Sequence, residues 1–260
     1  MNILDKIVAH KKTEVQSAKK HVSYTSLEES EFFHRDILSF RDFLLDDSRT
    51  GIIAEFKRKS PSKGIINDNV TVKDVTTAYA SAGASALSVL TDRKFFMGKK
   101  ADLTKARRAN KIPILRKDFM IDEYQIIEAR ALGADIILLI AAILTPVQIQ
   151  QMSTLAKSLG LNVLLEVHNL DELERSITPN LDAIGVNNRN LADFTVSVQT
   201  SYQLAEHIPK EFMKISESAI SNPETIKQLK KAGFNGFLIG ENFMKQADPG
   251  LAMREFVREL

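Results

Sequence analysis

Eight short runs rich in apolar and β-branched residues alternate with helical patterns along most of this chain. The runs begin at residue 51 and then cover residues 86–90, 112–115, 136–140, 163–167, 183–186, 212–215 and 236–239. Their spacing of about 20 to 35 residues is the length of one strand–helix unit. Eight such units in roughly 250 residues predict the α/β class and, within it, a (β/α)8 TIM barrel.

The stretches between the runs carry helix signals at both ends. Pro146 and Pro223 each follow a capping residue, which is typical of a helix start, and Gly83, Gly133 and Gly233 stand where helices should end. A doubly wound open sheet is the alternative arrangement of the same units. It is disfavoured because no glycine-rich fingerprint follows the first run.

The first 50 residues stand outside this repeat. They contain two amphipathic stretches, one over residues 3–15 and one over residues 32–45. We therefore predict one barrel domain over residues 1–260, of which residues 1–50 are an N-terminal helical extension. Two roles for the extension stay open: it caps the bottom of the barrel, or it covers the open, catalytic end.

The composition excludes several classes of protein. The 260 residues are 44% hydrophobic, and Lys plus Arg exceed Asp plus Glu by only two, so no net field favours nucleic acid or membrane as a partner. The chain has no cysteine, which excludes disulfides and thiolate metal sites and fits the cytoplasm. Residues 136–144 are too short a run to span a bilayer, and residues 1–20 contain no apolar signal core. We expect a cytoplasmic protein that is a monomer or a weak homo-oligomer.

The end of the first run is rich in charge. Glu55, Lys57 and Lys59 fall on one face of the predicted strand, Arg58 falls on the other, and Pro61 then stops strand pairing. Such groups are costly to desolvate where a buried strand ends. The segment is either a strand that runs into a solvated basic loop or part of a functional site.

Polar residues recur where the later strands are predicted to end. Active sites of barrels lie at this edge, and lysines and carboxylates that share one apolar-walled mouth shift each other's pKa, as proton transfer requires. We therefore predict a catalytic mouth. The strand-end residues, strand by strand, are Glu55, Lys57 and Ser60; Thr91 and Asp92, followed by Phe95, Phe96, Met97 and Gly98; Arg116, Lys117, Asp118 and Phe119; Glu166; Asn187, Asn188, Arg189 and Asn190; Ser216, Glu217 and Ser218; and Gly240, Glu241 and Asn242.

Six motifs occur in a specific order along the chain. They read IAEFKRKSPSKG, SVLTDRKFFMG, ILRKDFMID, LLEVHN, GVNNRNL, and SESAI with FLIGENFM after it. In this order they resemble the indole-3-glycerol-phosphate synthase family of tryptophan biosynthesis. The opening ILDKIVAHKKTEV is similar to that family's N-terminal extension, so the resemblance spans nearly the whole chain.

The resemblance implies a carboxy-lyase reaction on a phosphorylated small-molecule substrate. A carboxyphenylamino-deoxyribulose 5-phosphate closes to a five-membered ring and loses carbon dioxide and water, which gives indole-3-glycerol phosphate. This chemistry needs an acid that polarises the ketone, a site for the leaving carboxylate, and acid–base groups for dehydration.

The resemblance also implies roles for five catalytic candidates. Lys117 is similar to the family's general acid for ring closure, and Glu166 is similar to a general base or electrostatic stabiliser. Glu55 and Lys57 match a carboxylate–lysine pair that supports proton transfer, and Asn187 matches a residue that holds the substrate and its transition state. Whether Glu166 or the Glu55–Lys57 pair serves dehydration stays open.

The loops after the seventh and eighth strands of a barrel commonly bind phosphate. Here they predict phosphate contacts from Ala219, Gly240 and Glu241, with Ser218 and Ser60 as further substrate contacts. Two residues depart from the family, which usually has glycine at Ala219 and often a small hydroxyl residue at Glu241. Ala219 would be strained if the loop needs a positive φ. The Glu241 carboxylate should point away from a phosphate because like charges repel.

Roles can also be predicted for four further residues. Arg189 resembles a residue that holds the substrate, and Phe96 and Phe119 either belong to the core or stack on the anthranilate ring. His168 is expected to face away from Glu166 and to be structural. No metal or other cofactor is expected, because lysines take the place of a cation beside the carboxylates.

Two other functions remain alternatives. Another phosphosugar barrel, such as an isomerase or an aldolase that forms a Schiff base on Lys117, would use similar residues. A barrel that has lost catalysis and serves as a binding protein would lack charged strand ends, which this chain retains.

Overall fold

Parallel strands form the centre of the structure. The computed structural model describes residues 3–190 and 193–260, and eight parallel strands of this part of the chain close into a barrel. The first two residues of the predicted extension, and Leu191 at the end of the GVNNRNL motif, lie outside the described residues. The ring closes where Ala54 of the first strand pairs with Ile239 of the last, which confirms the predicted (β/α)8 fold. The strands are β1 (Ile52–Phe56), a short hairpin of β2 (Lys59–Ser60) and β3 (Gly64–Ile65), β4 (Ala86–Leu90), β5 (Ile114–Lys117), β6 (Ile136–Ile140), β7 (Asn162–Val167), β8 (Ala183–Asn187), β9 (Met213–Glu217) and β10 (Gly236–Ile239).

Helices connect the barrel strands, and the predicted end signals are in place. Thr145 and Asn222 cap helices whose first residue is proline, and Gly133 ends a third at a φ of 93°. Within the described residues, no helix is long and apolar enough to cross a membrane. The helices are α1 (Ile3–His21), α2 (Tyr24–Glu28), α3 (Phe40–Leu44), α4 (Val72–Ser81), α5 (Arg93–Phe96), α6 (Lys100–Ala109), α7 (Glu123–Leu132), α8 (Pro146–Ser158), α9 (Leu170–Ser176), α10 (Gln199–Ala205), α11 (Pro223–Lys231), α12 (Glu241–Met244) and α13 (Pro249–Arg258).

Two strands end two residues beyond their predicted ends. The third barrel strand was predicted over residues 112–115, but β5 begins at Ile114, because Pro113 has no N–H to pair. It ends on Lys117, and β9 likewise ends on Glu217, two residues beyond its predicted end. In both strands the last inward-facing residue is charged, so the apolar pattern stops before the strand does.

Alternation along the strands sorts side chains between two cores, one inside the barrel and one between strands and helices. Ile53, Leu164 and Ile215 belong to the inner core. Because strand side chains alternate, the residues two positions later also point into the barrel, at the carboxyl end of each strand. The polar residues brought to the mouth at strand ends are Glu55, Lys117, Glu166, Asn187 and Glu217.

The N-terminal extension contacts both ends of the barrel. Helix α1 covers the mouth, where Ile7 and Phe119 both belong to the inner core. Helix α3 lies at the opposite end, where Leu44 packs against Gly236 at the start of β10 and joins the same core. Both roles that the sequence left open are therefore present, each in a different helix.

Lys11 fixes α1 to the mouth. Its side chain is buried, and its Nζ lies 2.9 Å from Asp92 Oδ2 and 2.8 Å from Asp118 Oδ1, two carboxylates just beyond β4 and β5. Burial opposes ionisation of Asp118, but Lys11 and Arg116 lower its pKa to about 2. This charge cluster therefore clamps the helix to the strand ends.

We expect Lys11→Met to lower the free energy of unfolding by about 3–5 kcal/mol, because it removes one partner of a buried ion pair. The folded-state pKa of Asp118 lies below its usual 3.8, so this stabilisation is present above about pH 4 and is lost as the pH falls towards 2. Urea unfolding at a series of pH values measures both effects. Lys12→Met is the matched control, since Lys12 is exposed. Equal losses in the two variants would contradict the clamp.

Candidate active site

A partly buried lysine shared by two carboxylates lies at the centre of the mouth. Lys117 Nζ is 2.8 Å from Glu166 Oε2 and 2.6 Å from Glu217 Oε2, although the three residues lie on β5, β7 and β9. Burial disfavours the ammonium, but Glu166, Glu217 and Glu55 together raise the pKa of Lys117 above its usual value. Lys117 is therefore a fixed cation and hydrogen-bond donor at neutral pH.

The two carboxylates differ in their affinity for a proton. Burial opposes ionisation of Glu166, but Lys117, His168 and a hydrogen bond from Asn187 lower its pKa to about 2. The pKa of Glu217 is raised to about 7, chiefly by burial. Lys117 lowers this pKa, and the negative charge of Glu166 raises it. The mouth thus holds one permanently ionised carboxylate and one that exchanges a proton near neutrality, which is how acid and base roles are separated.

Gly185 on β8 makes room for Glu217. A Cβ at position 185 would lie 2.3 Å from Glu217 Oε1, so any other residue there would displace the carboxyl group. Among the described residues, Glu217 Oε1 has no hydrogen-bond partner, which contributes to the high cost of ionising this group. The glycine of the GVNN motif therefore serves the electrostatics of the site.

Glu217→Gln is expected to remove a pH dependence of stability. The folded-state pKa of about 7 lies above the usual 4.5, so the folded state binds this proton more tightly and loses stability as the pH rises through that window. Glutamine has no such proton. We expect the variant to gain about 1–3 kcal/mol relative to wild type between pH 5 and 8, measured by chemical denaturation. A difference that does not change with pH would contradict this assignment.

A second carboxylate–lysine pair lies on β1 and its loop. Lys57 Nζ is 2.8 Å from Glu55 Oε1, and Ser88 Oγ donates to Glu55 Oε2 at 3.2 Å. A Cβ at Gly240 would lie 2.6 Å from Glu55 Oε1, so Gly240 also provides space for a site carboxylate. The predicted pairing of Glu55 and Lys57 is present in the structure.

Asn187 links Glu166 to the loop after β9. Its Nδ2 donates to Glu166 Oε1 at 3.1 Å, while its Oδ1 accepts from the Arg189 N–H and the Ser218 hydroxyl, each at 3.0 Å. These contacts fix which end of the amide faces the carboxylate. Asn187 therefore holds Glu166 in place from the side opposite to Lys117.

A cavity of about 380 Å³ lies next to Glu55 and Lys57, between the loops that follow β9 and β10. Ser218 and Ala219 adopt φ values of 66° and 59°, a left-handed conformation that strains residues with a Cβ. This confirms the concern about alanine in this loop. The cavity wall includes Lys57, Arg189, Ser218, Ala219, Gly240 and Glu241.

Glu241 lies in the walls of both the mouth and the cavity beside Ala219. Its Oε2 is 3.4 Å from Arg189 Nη2, and its Oε1 is 3.7 Å from Lys63 Nζ. That its carboxylate points away from a bound phosphate stays a prediction, and Lys63 offers it a partner on that side. Ser60 lines the mouth but not the cavity beside Ala219.

We expect Ala219→Gly to be tolerated, with stability unchanged or raised by up to about 1.6 kcal/mol. Relief of the left-handed conformation contributes about 1–2 kcal/mol, and the greater freedom of glycine in the unfolded chain offsets about 0.4–1 kcal/mol of it. Ala219→Pro should be damaging, because proline fixes φ near −65° and removes the N–H. Thermal unfolding and inorganic-phosphate binding measure the two effects. A glycine variant that binds phosphate much more weakly would contradict the proposed backbone contact.

Apolar side chains form the remaining wall. The rings of Phe96 and Phe119 lie 6.0 Å apart, and both line the mouth together with Leu4 and Ile7 of α1. Phe119 also belongs to the inner core, which is the first of the two alternatives considered for it. This wall offers a flat aromatic group a dry surface next to Lys117.

His168 contradicts its expected orientation. Its Nε2 lies 3.4 Å from Glu166 Oε1, and its Nδ1 lies 3.1 Å from Glu172 Oε2. Residues 166 and 168 are two positions apart, so the strand period places them on the same face, and the expectation that they face apart was wrong.

Sequence reasoning also left Glu217 without a role. Its position at a strand end was visible, but its contact with Lys117, a residue 100 positions away, was not. As for a metal, the described ranges contain no group of three or more His, Asp or Glu arranged to hold one. The mouth itself offers a lysine, carboxylates, an amide and an apolar wall.

Comparisons with known proteins place the chain in one family. The family model of indole-3-glycerol phosphate synthase matches residues 4–256. An indole-3-glycerol phosphate synthase of Bacteroides thetaiotaomicron is 45% identical over 261 residues, which cover 100% of this chain and 99% of the relative. One of an Acidovorax species is 44% identical, with 98% of each chain covered.

A likeness to solved structures supports the fold alone. A thiamine phosphate pyrophosphorylase from Pyrococcus furiosus superposes with a TM-score of 0.57 at 16% identity, over 80% of this chain and 95% of that one. The family match and the full-length relatives identify the family, because they are similar in sequence over all the strands that supply residues to the mouth. The chain belongs to the indole-3-glycerol phosphate synthase family.

Proposed function

We propose that this mouth carries out the family's reaction, with Lys117, Glu166 and Glu217 as its chemical centre. The reaction is the closure of 1-(2-carboxyphenylamino)-1-deoxyribulose 5-phosphate to indole-3-glycerol phosphate, with loss of carbon dioxide and water. The observation that carries this proposal is the shared lysine between two carboxylates of opposite proton affinity.

The walls of the mouth orient the substrate. The aromatic ring lies against Phe96 and Phe119, and the phosphate lies in the cavity beside Ala219 and Gly240. The ketone then lies between the two ends, within reach of Lys117. This arrangement matches each part of the substrate to a surface of the same chemical character.

Lys117 donates a hydrogen bond to the ketone oxygen as the ring carbon attacks. Because its pKa is raised, it acts chiefly as a fixed positive charge that stabilises the developing oxyanion, a role independent of pH near neutrality. Glu217, with a pKa of about 7, protonates this oxyanion, takes up a second proton from solvent, and donates it so that the hydroxyl group leaves as water. Glu166 remains ionised and acts in dehydration as the base that removes a proton from the methylene carbon next to nitrogen. The attacking ring carbon loses carbon dioxide and has no proton to give up.

Residues around this centre hold the substrate. Lys57, paired with Glu55, faces the leaving carboxylate, and Asn187 keeps Glu166 oriented. Arg189 transfers its contact from Glu241 to the phosphate, while Ser218 and Ser60 contribute hydroxyl groups. Glu241 contributes its backbone N–H, and its carboxylate turns to Lys63, 3.7 Å away before binding.

We also propose a setting for this activity. Residues 1–260 act as one domain, in which residues 1–50 serve as the extension over the mouth and the base of the barrel. The protein works in the cytoplasm as a monomer or weak homo-oligomer, and proton transfer by lysine and glutamate needs neither a metal nor an organic cofactor. Size-exclusion chromatography with light scattering tests the oligomeric state.

Turnover of the carboxyphenylamino substrate tests the proposal. The purified protein should form a product with indole fluorescence, and the substrate should lose one carbon dioxide per turnover. Borohydride treatment during turnover should trap no covalent adduct, because the amine of a Schiff-base lysine must lose its proton and the carboxylates hold Lys117 charged. A trapped adduct at Lys117 without an indole product would favour an aldolase instead.

A further inference from the structure

We propose that His168 is a positioning residue that acts through Glu166, holding this carboxylate ionised while Lys117 is engaged with the substrate. The inference rests on the proposed function, and it adds a residue that does not touch the substrate. The geometry behind it is a row of three side chains, Glu172, His168 and Glu166, in which the imidazole lies between two carboxylates.

The outer end of the row is rigid. Glu172 Oε2 accepts from the His168 backbone N–H at 2.8 Å and lies 3.1 Å from His168 Nδ1, and Glu172 Oε1 accepts from Asn169 Nδ2 at 3.2 Å. Asn169 also caps α9, the helix on which Glu172 lies. The imidazole therefore has one orientation, and its inner nitrogen faces Glu166.

The inner end of the row is close but not yet bonded. His168 Nε2 is buried, lies 3.4 Å from Glu166 Oε1, and has no hydrogen bond within the described part of the chain. Oε1 already accepts from Asn187, whereas Oε2 accepts from Lys117. Each oxygen of Glu166 thus has its own donor. His168 lies next to Oε1, the oxygen that does not contact Lys117.

The charges around the imidazole favour its protonated form. Burial opposes that form, but Glu172 and Glu166, with a smaller contribution from Glu217 on β9, raise the pKa of His168. Arg175 on α9 acts on Glu172 and moderates its negative charge. Both ring nitrogens face carboxylates, and an imidazolium is the only form that donates from both.

This arrangement matters when the substrate binds. Lys117 must turn part of its hydrogen bonding from Glu166 to the ketone, and a buried carboxylate that loses its counter-charge takes up a proton. A protonated Glu166 cannot act as a base. The His168 imidazolium supplies a second counter-charge that does not move during the reaction, so Glu166 stays ionised and Glu217 remains the group that carries the proton.

His168→Gln tests the inference through the pH dependence of turnover. The profile of kcat reports the pKa of Glu166 in the substrate complex, where Lys117 has turned to the ketone and this pKa lies above its value in the free protein. Loss of a neighbouring charge should shift its acid limb upwards by about one pH unit, and kcat at a pH on that limb should fall about tenfold, with KM changed less than about twofold. Glu172→Gln, which weakens the imidazolium from the outer side, should shift the limb in the same direction by a smaller amount.

His207→Gln is the matched control, because His207 is exposed beyond the end of α10 and should leave the profile unchanged. A wild-type protein without turnover would refute the proposed function and not this inference. Turnover in wild type with an unshifted acid limb in His168→Gln would overturn the inference alone. The same conclusion would follow if kcat fell equally at all pH values, since that is the signature of a structural defect.

A direct titration keeps the inference testable if His168→Gln does not fold. Nitrogen-15 NMR of the imidazoles in wild-type protein should give His168 a pKa above the usual 6.5, and Glu172→Gln should lower it. A neutral His168 imidazole throughout the range in which the enzyme is active would overturn the inference.

Discussion

Lys117→Met is expected to abolish ring closure, with kcat lower by about 10²- to 10⁴-fold, while inorganic phosphate still binds. Methionine fills a similar volume but has no charge and no donor, so the ketone oxygen develops its negative charge without a partner. The phosphate cavity lies beside Ala219 and Gly240, and Lys117 is not part of its wall. Stopped-flow or steady-state fluorescence of the indole product measures the rate, and competition by phosphate measures the binding.

The fold must survive this substitution for the result to be informative. Without the lysine, Glu166 and Glu217 face one another and retain a shared proton, so the variant should lose stability chiefly as the pH rises. Wild type and Lys117→Met should therefore be compared near pH 6, where this loss of stability is small. Melting profiles recorded in the same buffer show whether both proteins are folded. Activity within tenfold of wild type would refute the assigned role of Lys117.

Glu166→Gln should lower kcat by at least about a hundredfold, the lower bound for loss of an acid–base group. Glutamine keeps the size of the side chain and its contact with Asn187, but it cannot take up the methylene proton that is lost during dehydration. The variant also leaves Lys117 with Glu217 as its close partner, which should lower the pKa of Glu217. Steady-state kinetics separate the effects on kcat and KM.

The pattern of the kinetic change decides the role of Glu166. A raised KM with an unchanged kcat would show uniform binding and no part in the chemical step. Glu172→Gln is a control, because it makes the same substitution at a carboxylate that contacts His168 and not Lys117. Its effect on kcat should be smaller and should depend on pH. Equal losses in the two variants would indicate a defect in local packing.

The barrel and much of the mouth could be predicted from the sequence because both depend on local patterns. Apolar runs at regular intervals identify strands, and the strand period then carries Glu55 and Glu166 to the interior at the carboxyl end. The predicted pair of Glu55 and Lys57 is two residues apart, so its contact follows from the same period. These features need no knowledge of which strands face each other across the barrel.

Contacts across the barrel could not be predicted in this way. Lys117 and Glu217 meet because β5 and β9 end at the same height on opposite sides, which depends on the register of every strand between them. The position of α1 depends on Lys11, whose carboxylate partners lie in two loops. Lys11 lies four residues after Ile7 and four before Val15, so the sequence already places it on the apolar face of the helix. A lysine in that position needs carboxylate partners, and this was a signal for where the helix packs.

The error at His168 has a different cause. The period that correctly oriented Glu166 also orients His168, so the information was present and was misapplied. At Glu241 the expectation considered only the repulsion from phosphate, whereas the structure adds Arg189 and Lys63. The orientation of the Glu241 carboxylate therefore depends on these two cations as well as on the phosphate.

The central claim is that Glu166 is ionised while Glu217 holds the exchangeable proton, and carbon-13 NMR of labelled glutamate side chains tests it most directly. Wild-type protein without substrate should show one glutamate that titrates near pH 7 and one that stays ionised down to the acid limit of folding, about pH 4 or below. The signal that titrates near neutrality should disappear in Glu217→Gln and persist in Glu166→Gln at a lower pKa. If every glutamate of the wild type titrates below about pH 5, or if the neutral titration survives in Glu217→Gln, the division of labour between the two carboxylates is contradicted.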